Sequence, residues 1–449
     1  MASGGSLTFL TDNVWHAPRS PCPTTPGGAT RFRARPIIEP VTDLETPVAP
    51  ARPGPWPRRV APALLGYAAV RALGLVALAL WSATRDKSTH QLLTARWDSL
   101  WYTRVAELGY GYEVRLPNGD VHSNLAFFPL LPWLERAVSA VTPLSYADAG
   151  LLISTLASLA AAWGVFAVAD HVYGRRAGVC AVLLWAVLPV GIVQSMAYSE
   201  SLFTALAAWS LYAVLTGRWL TAGLLASFAG LTRPVGAAVV AAVWAAAIAS
   251  YVRGSSAQDS SVRDSSVRDS SVRERSGPAP DSASLWRRAL GMLLAPLGAA
   301  GYVLWVGQHT GRGPLGYLDV QAGWGNGFDG GYAFARFAGD KFTSFPSALA
   351  GLGLIVGVAL VIWLYVICVR QAQPLPLLVY AGIVTALALC ASSYFGSKPR
   401  LLLPAFPLLL PLALAVARLR TSRSAWVLGG VAVVSAAYGA FWLNGSGPP

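Results

Sequence analysis

The chain has 449 residues, of which 54% are hydrophobic and 12% are charged, and its formal net charge at pH 7 is +13. A soluble domain of average composition contains about 25% charged residues, so this composition excludes an ordinary soluble protein and indicates an integral membrane protein. The positive charge is spread over the N-terminal tail and the loops instead of forming a patch on a soluble domain. This distribution argues against nucleic-acid binding and suggests contact with membrane lipids.

The first 59 residues are rich in Pro, Gly, Thr and Arg and show no periodicity. We interpret 1–59 as a disordered cytoplasmic tail. It does not read as a signal peptide, because no apolar core follows a short basic start.

Apolar runs fill most of the remaining chain and predict an all-α, polytopic membrane protein with about eleven transmembrane helices. We expect the spans near residues 60–81, 147–169, 176–193, 199–216, 219–232, 234–252, 287–307, 346–369, 374–394, 401–417 and 425–443. They divide into an N-terminal transmembrane part, 60–252, and a C-terminal one, 286–449. Between them, 253–285 contains near-copies of Asp259-Ser260-Ser261-Val262-Arg263, which predict a low-complexity cytoplasmic linker.

Basic residues beside the apolar runs set the expected orientation. With a cytoplasmic N terminus, the inside loops hold Arg175, Arg176, Arg218, Arg287, Arg288, Arg370, Arg418, Arg420 and Arg423. The segments 82–146 and 308–345 are then outside loops, and the first of them is expected to carry short helices. All the polar segments with chemical character fall on the same outside face. Since a pore needs polar groups along its depth, this arrangement favours an active site at one leaflet.

The first outside loop places one acid, Asp98, among aromatic rings in the stretch 96–110. On a helix, Asp98, Trp101 and Tyr102 share one face. An Asp in a partly dry aromatic site can act as general base toward a hydroxyl, as an inverting sugar transfer requires. The alternative is an interfacial carboxylate paired with Arg96 or Arg104.

Four further charged residues stand at the predicted outside ends of spans. Glu200 begins a span, where its carboxylate is favoured by the helix N-terminus, and it could also bind sugar hydroxyls or pair with Arg233. Arg233 either snorkels to the interface or contacts a lipid phosphate. Lys398 and Arg400 either anchor the chain at the membrane or stabilise the charge of a leaving phosphate.

Three other residues have less defined roles. Arg71 interrupts the first run, and a charge there is expected to face the bundle interior, with Asp170 as a candidate partner. His122 and His309 lie in outside loops without paired metal-ligand spacing, so we expect no metal. The four cysteines are far apart and form no metal motif.

Several of these segments together resemble the PIG-V-type mannosyltransferases, which are polytopic glycosyltransferases of the GT-C superfamily. The resemblance rests on residues 96–102 with 109–110, 127–132, 198–203, 232–234 and 400–407. It implies a GT-C-like fold and transfer of mannose from a polyprenyl-phosphate carrier to a lipid-linked or glycan acceptor on the non-cytoplasmic face. It implies Asp98 as the catalytic base and no nucleotide-sugar site.

We therefore expect an inverting membrane glycosyltransferase with Asp98 as general base and no cofactor. Arg233, Lys398 and Arg400 are expected to hold the lipid phosphate, and the sugar site is expected to be shaped by Trp97, Trp101, Tyr102 and Glu200. The Ala-, Arg- and Gly-rich composition suggests a bacterial member in the cell membrane of a high-GC bacterium. The rival hypotheses are a lipid or small-solute transporter and a catalytically inert membrane scaffold.

Overall fold

A computed structural model describes residues 56–265, 282–392 and 394–445. Residues 1–55 of the predicted tail 1–59 lie outside the described residues, and the prediction is wrong for 56–59, which begin the first helix. The first transmembrane part and its outside loop contain α1 (Trp56–Ala83), α2 (Thr89–Thr94), α3 (Asp98–Leu108), α4 (Leu130–Val141), α5 (Tyr146–Tyr173), α6 (Arg175–Ala186), α7 (Ser199–Leu215), α8 (Trp219–Gly230) and α9 (Ala237–Ser265). The segment 82–146, predicted to be an outside loop, carries short helices as expected.

The C-terminal part is also helical. It contains α10 (Ser282–Leu294), α11 (Leu297–Thr310), α12 (Gly316–Gly323), α13 (Tyr332–Asp340), α14 (Ser347–Arg370), α15 (Leu375–Cys390), α16 (Lys398–Leu401), α17 (Leu410–Arg418) and α18 (Thr421–Leu443). Short 3₁₀ turns lie at Asn124–Ala126, Gly191–Ser195, Pro234–Gly236, Lys341–Thr343, Phe395–Ser397 and Phe406–Leu409.

The strands of the described residues form two small antiparallel pairs. In the first outside loop, β1 (Glu113–Arg115) pairs with β2 (Val121–Ser123). Further along, β3 (Gly327–Phe328) pairs with β4 (Ala391–Ser392), which ties the second outside loop to the end of α15.

The predicted all-α membrane architecture is confirmed. Among the described residues, 6 helices are long and apolar enough to cross a membrane, or 7 if the bent pair Phe395–Leu401 and Phe406–Arg418 is one span. The eleven predicted runs all contain helix, but α7, α8 and α15 are apolar helices of only 10–17 residues, and α6 has 12 residues. The predicted number of spans therefore depends on these shorter helices.

The bundle is centred on α5, which packs along α4, α6 and α7, while α1 packs along α18. The largest fully buried side chains include Trp185, Tyr67 and Tyr198, and the rings of Tyr67 and Trp185 stack with centroids 5.5 Å apart. A second apolar cluster, formed by Leu125, Phe128, Tyr302, Val306, Tyr317 and Val320, joins the first outside loop to α11 and α12. The outside loops are therefore packed against the bundle.

The predicted pairing of Arg71 with Asp170 is wrong. Asp170 pairs with Arg59 at 2.7 Å. The guanidinium of Arg71 donates to the carbonyl oxygens of Ala186 and Gly191. Because α6 ends at Ala186, its last carbonyl groups have no partner within the helix, and Arg71 supplies one inside the bundle.

The predicted linker 253–285 is wrong over its first residues, where α9 continues to Ser265. The sequence has no proline between Pro234 and Pro278, so no proline interrupts α9 before Ser265. Residues 266–281 lie outside the described residues.

Two glycines of α11 give a matched test of this packing. A Cβ on Gly298 would collide with the backbone carbonyl oxygen of Ser227 in α8, whereas a Cβ on Gly301 would meet nothing within 4 Å. We expect Gly298→Ala to lower the free energy of unfolding by about 1–3 kcal/mol, because the backbones must move apart. Gly301→Ala should leave it unchanged or raise it slightly. Thermal unfolding in detergent measures both, and equal melting temperatures would contradict the close contact of α8 and α11.

Candidate active site

Asp98 is the first residue of α3, where the helix dipole favours its negative charge. The preceding residue, Trp97, has φ 49°, a left-handed conformation that residues other than glycine rarely adopt. Its ring lies against the guanidinium of Arg96, at 3.8 Å from the ring centroid. The Ser99 hydroxyl accepts a hydrogen bond from the Arg96 amide at 2.9 Å. This turn fixes the direction in which α3 starts and hence the place of the carboxylate.

Glu200 lies in the first turn of α7, again at a helix N-terminus, and its side chain is 1% exposed. The hydroxyl of Ser154 in α5 donates to the carbonyl of Tyr198 at 2.8 Å. The Ala197 amide donates to the carbonyl of Leu93 at 2.9 Å, so the start of α7 is held from two sides.

The two arginines come from breaks between apolar helices. Arg233 follows α8 and is extended, as expected of a residue before a proline, here Pro234. Arg400 belongs to α16, after which the chain bends by 74°. The indole of Trp185 donates to the carbonyl of Leu403 at 3.0 Å and the Tyr380 hydroxyl to that of Pro404 at 2.9 Å. These bonds hold the bend that carries Arg400.

The four charged side chains form one ion-pair chain. The Arg400 Nη1 lies 2.9 Å from Asp98 Oδ2, and its Nε lies 3.3 Å from Glu200 Oε1. The Arg233 Nη1 lies 2.6 Å from the same Glu200 oxygen. The predicted pairing of Glu200 with Arg233 is confirmed. The alternative partners of Asp98 are wrong, since Arg104 bonds the Tyr112 hydroxyl and Arg96 bonds the carbonyls of Leu443 and Gly445.

The charges of this ion-pair chain cancel, because two guanidinium groups face two carboxylates. Its members differ in exposure: the Asp98 side chain is 24% exposed, whereas those of Arg400 and Glu200 are 9% and 1% exposed. Asp98 uses Oδ2 toward Arg400, which leaves its second oxygen for another partner. The site therefore offers one partly exposed carboxylate, that of Asp98, backed by buried, mutually neutralised charges.

Tyr102 links this chain to the aromatic side chains of the loop. Its hydroxyl is 2.7 Å from the Ser199 hydroxyl, to which Arg233 donates at 3.1 Å. Burial raises the pKa of Tyr102 above its ordinary value, against the lowering effect of Arg233, so the phenol stays protonated. The ring contacts Phe127 edge-on at 5.2 Å.

Trp101 lies in an aromatic cluster that we call the loop cluster: Trp101, Tyr112, His122, Phe127 and Trp324. The Trp101 ring stacks on Phe127 at 5.6 Å and meets Trp324 edge-on at 4.9 Å. The Trp324 indole also donates to the carbonyl of Ser123 at 3.0 Å. The loop cluster thus joins the two outside loops. Through the contact of Phe127 with Tyr102, it also adjoins the ion-pair chain.

Two of the expected site residues have their contacts elsewhere. Lys398 donates to the carbonyls of Ala388 and Ala391 at 2.9 and 2.7 Å, and its ammonium lies over the rings of Phe334 and Phe395. It belongs to the same short helix as Arg400 but contacts none of the ion-pair chain. The Trp97 side chain is partly buried and packs against the main apolar core, not against the loop cluster.

The structure adds residues to which we assigned no individual role from the sequence. Tyr198 lies under the Arg400 guanidinium at 5.1 Å, and Trp324 reaches the site from a distant glycine-rich loop. Glu135 in α4 is 0% exposed, and neither carboxylate oxygen has a hydrogen-bond partner among the described residues. Burial raises its pKa well above the ordinary value. In the sequence, Glu135 follows Leu131 by four residues, so the two side chains share the buried face of an apolar helix. This spacing was the signal that could have identified Glu135.

No group of three His, Cys, Asp or Glu side chains positioned to hold a metal ion occurs within the described residues.

The pair of Arg233 and Glu200 provides a stability test. Arg233→Met leaves Glu200 buried with Arg400 as its remaining partner, and we expect this variant to lose about 3–5 kcal/mol of unfolding free energy. The double variant Arg233→Met/Glu200→Met should recover much of that loss, because both charges are removed together. Arg115→Met, at an exposed arginine of β1, is the matched control and should have no effect. Thermal unfolding in detergent of the unmodified protein and the three variants measures these losses, and a double variant no more stable than Arg233→Met would refute the pairing.

Residues 125–261 match the family model described as dolichyl-phosphate-mannose-protein mannosyltransferase. These residues include α4, α7, Glu200 and Arg233 but neither Asp98 nor Arg400. A search of curated protein sequences finds no match.

Solved structures with a related arrangement include ArnT from Cupriavidus metallidurans bound to undecaprenyl phosphate, with a TM-score of 0.48, 15% identity, and coverage of 84% of this chain and 63% of that chain. An oligosaccharyltransferase from Archaeoglobus fulgidus has a TM-score of 0.41 and 14% identity, with 84% of this chain and 54% of that chain covered. The chain thus spans less than two thirds of either. The family match covers less than half of the chain, and over that part the all-α membrane protein is similar to a mannosyltransferase family.

Proposed function

We propose that this protein transfers a sugar from a polyprenyl-phosphate carrier to a lipid-linked or glycan acceptor, with inversion at the anomeric carbon and Asp98 as general base. The observation that carries the proposal is the accessible carboxylate of Asp98 at the end of a buried ion-pair chain. The match of residues 125–261 to a mannosyltransferase family whose description names a dolichyl-phosphate donor supports the donor class and favours mannose.

In the proposed reaction, the acceptor hydroxyl attacks the anomeric carbon while its proton passes to Asp98. The bond from that carbon to the phosphate oxygen breaks, and the polyprenyl phosphate leaves with its electron pair. Proton transfer to a positioned carboxylate is effective only within hydrogen-bond reach of the hydroxyl. The free oxygen of Asp98 is the acceptor for that proton.

The ion-pair chain couples the two charge changes of this reaction. Before transfer, Asp98 and Glu200 neutralise Arg400 and Arg233. When Asp98 takes the proton, it becomes neutral, and Arg400 then has an unbalanced positive charge. The leaving phosphate gains negative charge at the same stage, so Arg400 can pair with it as Asp98 becomes neutral. Buried charges are well suited to this role because a low dielectric strengthens their interaction.

The aromatic side chains provide a surface for the sugar and the acceptor. Trp101 and the rest of the loop cluster continue from Tyr102, beside Ser199 and Arg233. Lys398 is proposed to bind phosphate oxygens separately from the ion-pair chain. It can do so only through the N–H of its ammonium group that does not donate to Ala388 or Ala391.

We place the active site on the non-cytoplasmic face, with the N terminus in the cytoplasm of a bacterial cell, because the arginine-rich loops then stay inside. The transporter hypothesis has less support, because a transport path needs charged groups along it that can bind the solute. Arg71, the charged residue within the first span, instead donates to backbone carbonyls of α6 and of the turn after it.

Replacement of the general base tests the proposal. We expect Asp98→Asn to reduce transfer of labelled mannose from polyprenyl-phosphate-mannose by about 10²–10⁴-fold, because the amide cannot accept the proton. The assay uses membranes containing the full-length protein. Its readout is sugar transferred to endogenous acceptors.

Glu107→Gln is the matched control, since Glu107 is an exposed acid of the same helix. It should leave transfer unchanged, and both variants should reach the membrane in equal amounts. Transfer by Asp98→Asn at the rate of the unmodified protein would eliminate Asp98 as the base.

A further inference from the structure

A groove of about 560 Å³ runs along the outer surface of the bundle between α1 and α18. Both helices are candidate membrane spans. The walls of the groove are almost wholly apolar, and its lining consists of Leu73, Ala77, Leu80, Trp81, Thr84, Arg85, Val433, Ala436 and Ala437. Its volume is within the range of pockets that hold small ligands, about 300–1,000 Å³.

The polar end of the groove lies just beyond α1, at Thr84 and Arg85. Arg85 is exposed, and its guanidinium makes no hydrogen bond or ion pair with any described residue. The neighbouring basic residues are already engaged at the end of α18: Lys87 donates to the carbonyl of Asn444 at 2.6 Å, and Arg96 donates to that of Leu443 at 2.7 Å. Arg85 is therefore the cation left available at this end of the groove.

The charge around this end remains positive. Asp86 is the one acid of the segment 84–88, and it is flanked by Arg85 and Lys87. By the expected orientation this end faces outward, where basic residues beside a span are less frequent than on the cytoplasmic side. A basic side chain at the end of an apolar groove matches a molecule with an apolar tail and an anionic head.

We propose that the groove between α1 and α18 is a binding site for an anionic phospholipid of the bilayer, with an acyl chain between the helices and the phosphate head at Arg85. None of its lining residues belongs to the ion-pair chain of Asp98, so the site is separate from the proposed active site.

Photolabelling of the full-length protein in phosphatidylcholine nanodiscs tests this site. The probe is phosphatidylglycerol or phosphatidylcholine carrying a photoreactive group on an acyl chain, and labelled peptides are mapped by mass spectrometry. We expect α1 and α18 peptides around the groove to be labelled about fivefold more by phosphatidylglycerol, the preference that one basic residue near a membrane surface provides. Arg85→Gln should abolish this preference.

Two further variants separate the groove from general membrane charge. Arg312→Gln removes an exposed arginine of the second outside loop and should keep the preference. Ala437→Trp fills the groove from an exposed lining position and should reduce labelling by both lipids. Because the guanidinium of Arg85 bonds no described residue, we expect Arg85→Gln to fold normally, and melting in detergent verifies this.

Equal labelling by the two lipids in the unmodified protein would overturn the proposal. So would displacement of labelled phosphatidylglycerol by polyprenyl phosphate but not by unlabelled phosphatidylglycerol, because the groove would then belong to the sugar donor.

Discussion

The guanidinium of Arg400 is the contact on which the candidate site depends. It lies between Asp98 and Glu200, which begin two different helices, and it reaches them from a third segment more than 190 residues along the chain from Glu200. Removing one partner of a buried ion pair is costly because the other charge is left without compensation. These ion pairs thus fix three segments relative to one another: the first outside loop, the start of α7 and the bend after α16.

Breaks in apolar helices make that contact possible. α8 stops before Arg233, α6 stops at Ala186, and the chain bends after α16. Each break leaves backbone carbonyls without a helical partner, and a neighbour binds one or more of them. Arg71 donates to the carbonyls of Ala186 and Gly191, the Leu130 amide to that of Leu231, and Trp185 to that of Leu403. Short helices that end inside the bundle therefore bring charged side chains to one face, where an uninterrupted span would have carried only apolar ones.

The sequence predicted local features well and distant partners only in part. Apolar runs predicted the helices, and the three- and four-residue spacing placed Asp98, Trp101 and Tyr102 on one face of α3. The pairing of Glu200 with Arg233 also followed from their positions at span ends. The partner of Asp98, the partner of Arg71 and the part played by Trp324 depend on contacts between residues far apart in the chain, for which periodicity has no signal. Lys398 and Arg400 are two apart in sequence, and residues at that spacing on a helix do not face each other.

The central claim is that Arg400 exchanges its hold on Asp98 for the donor phosphate while Asp98 receives the acceptor proton. The most direct measurement is a cryo-electron microscopy structure of the full-length protein with a non-transferable phosphonate analogue of polyprenyl-phosphate-mannose. We predict the phosphonate within hydrogen-bond distance of Arg400, and the anomeric carbon facing the free oxygen of Asp98. A phosphonate bound away from Arg400, with its ion pair to Asp98 unchanged and the sugar out of reach of that carboxylate, would contradict the claim.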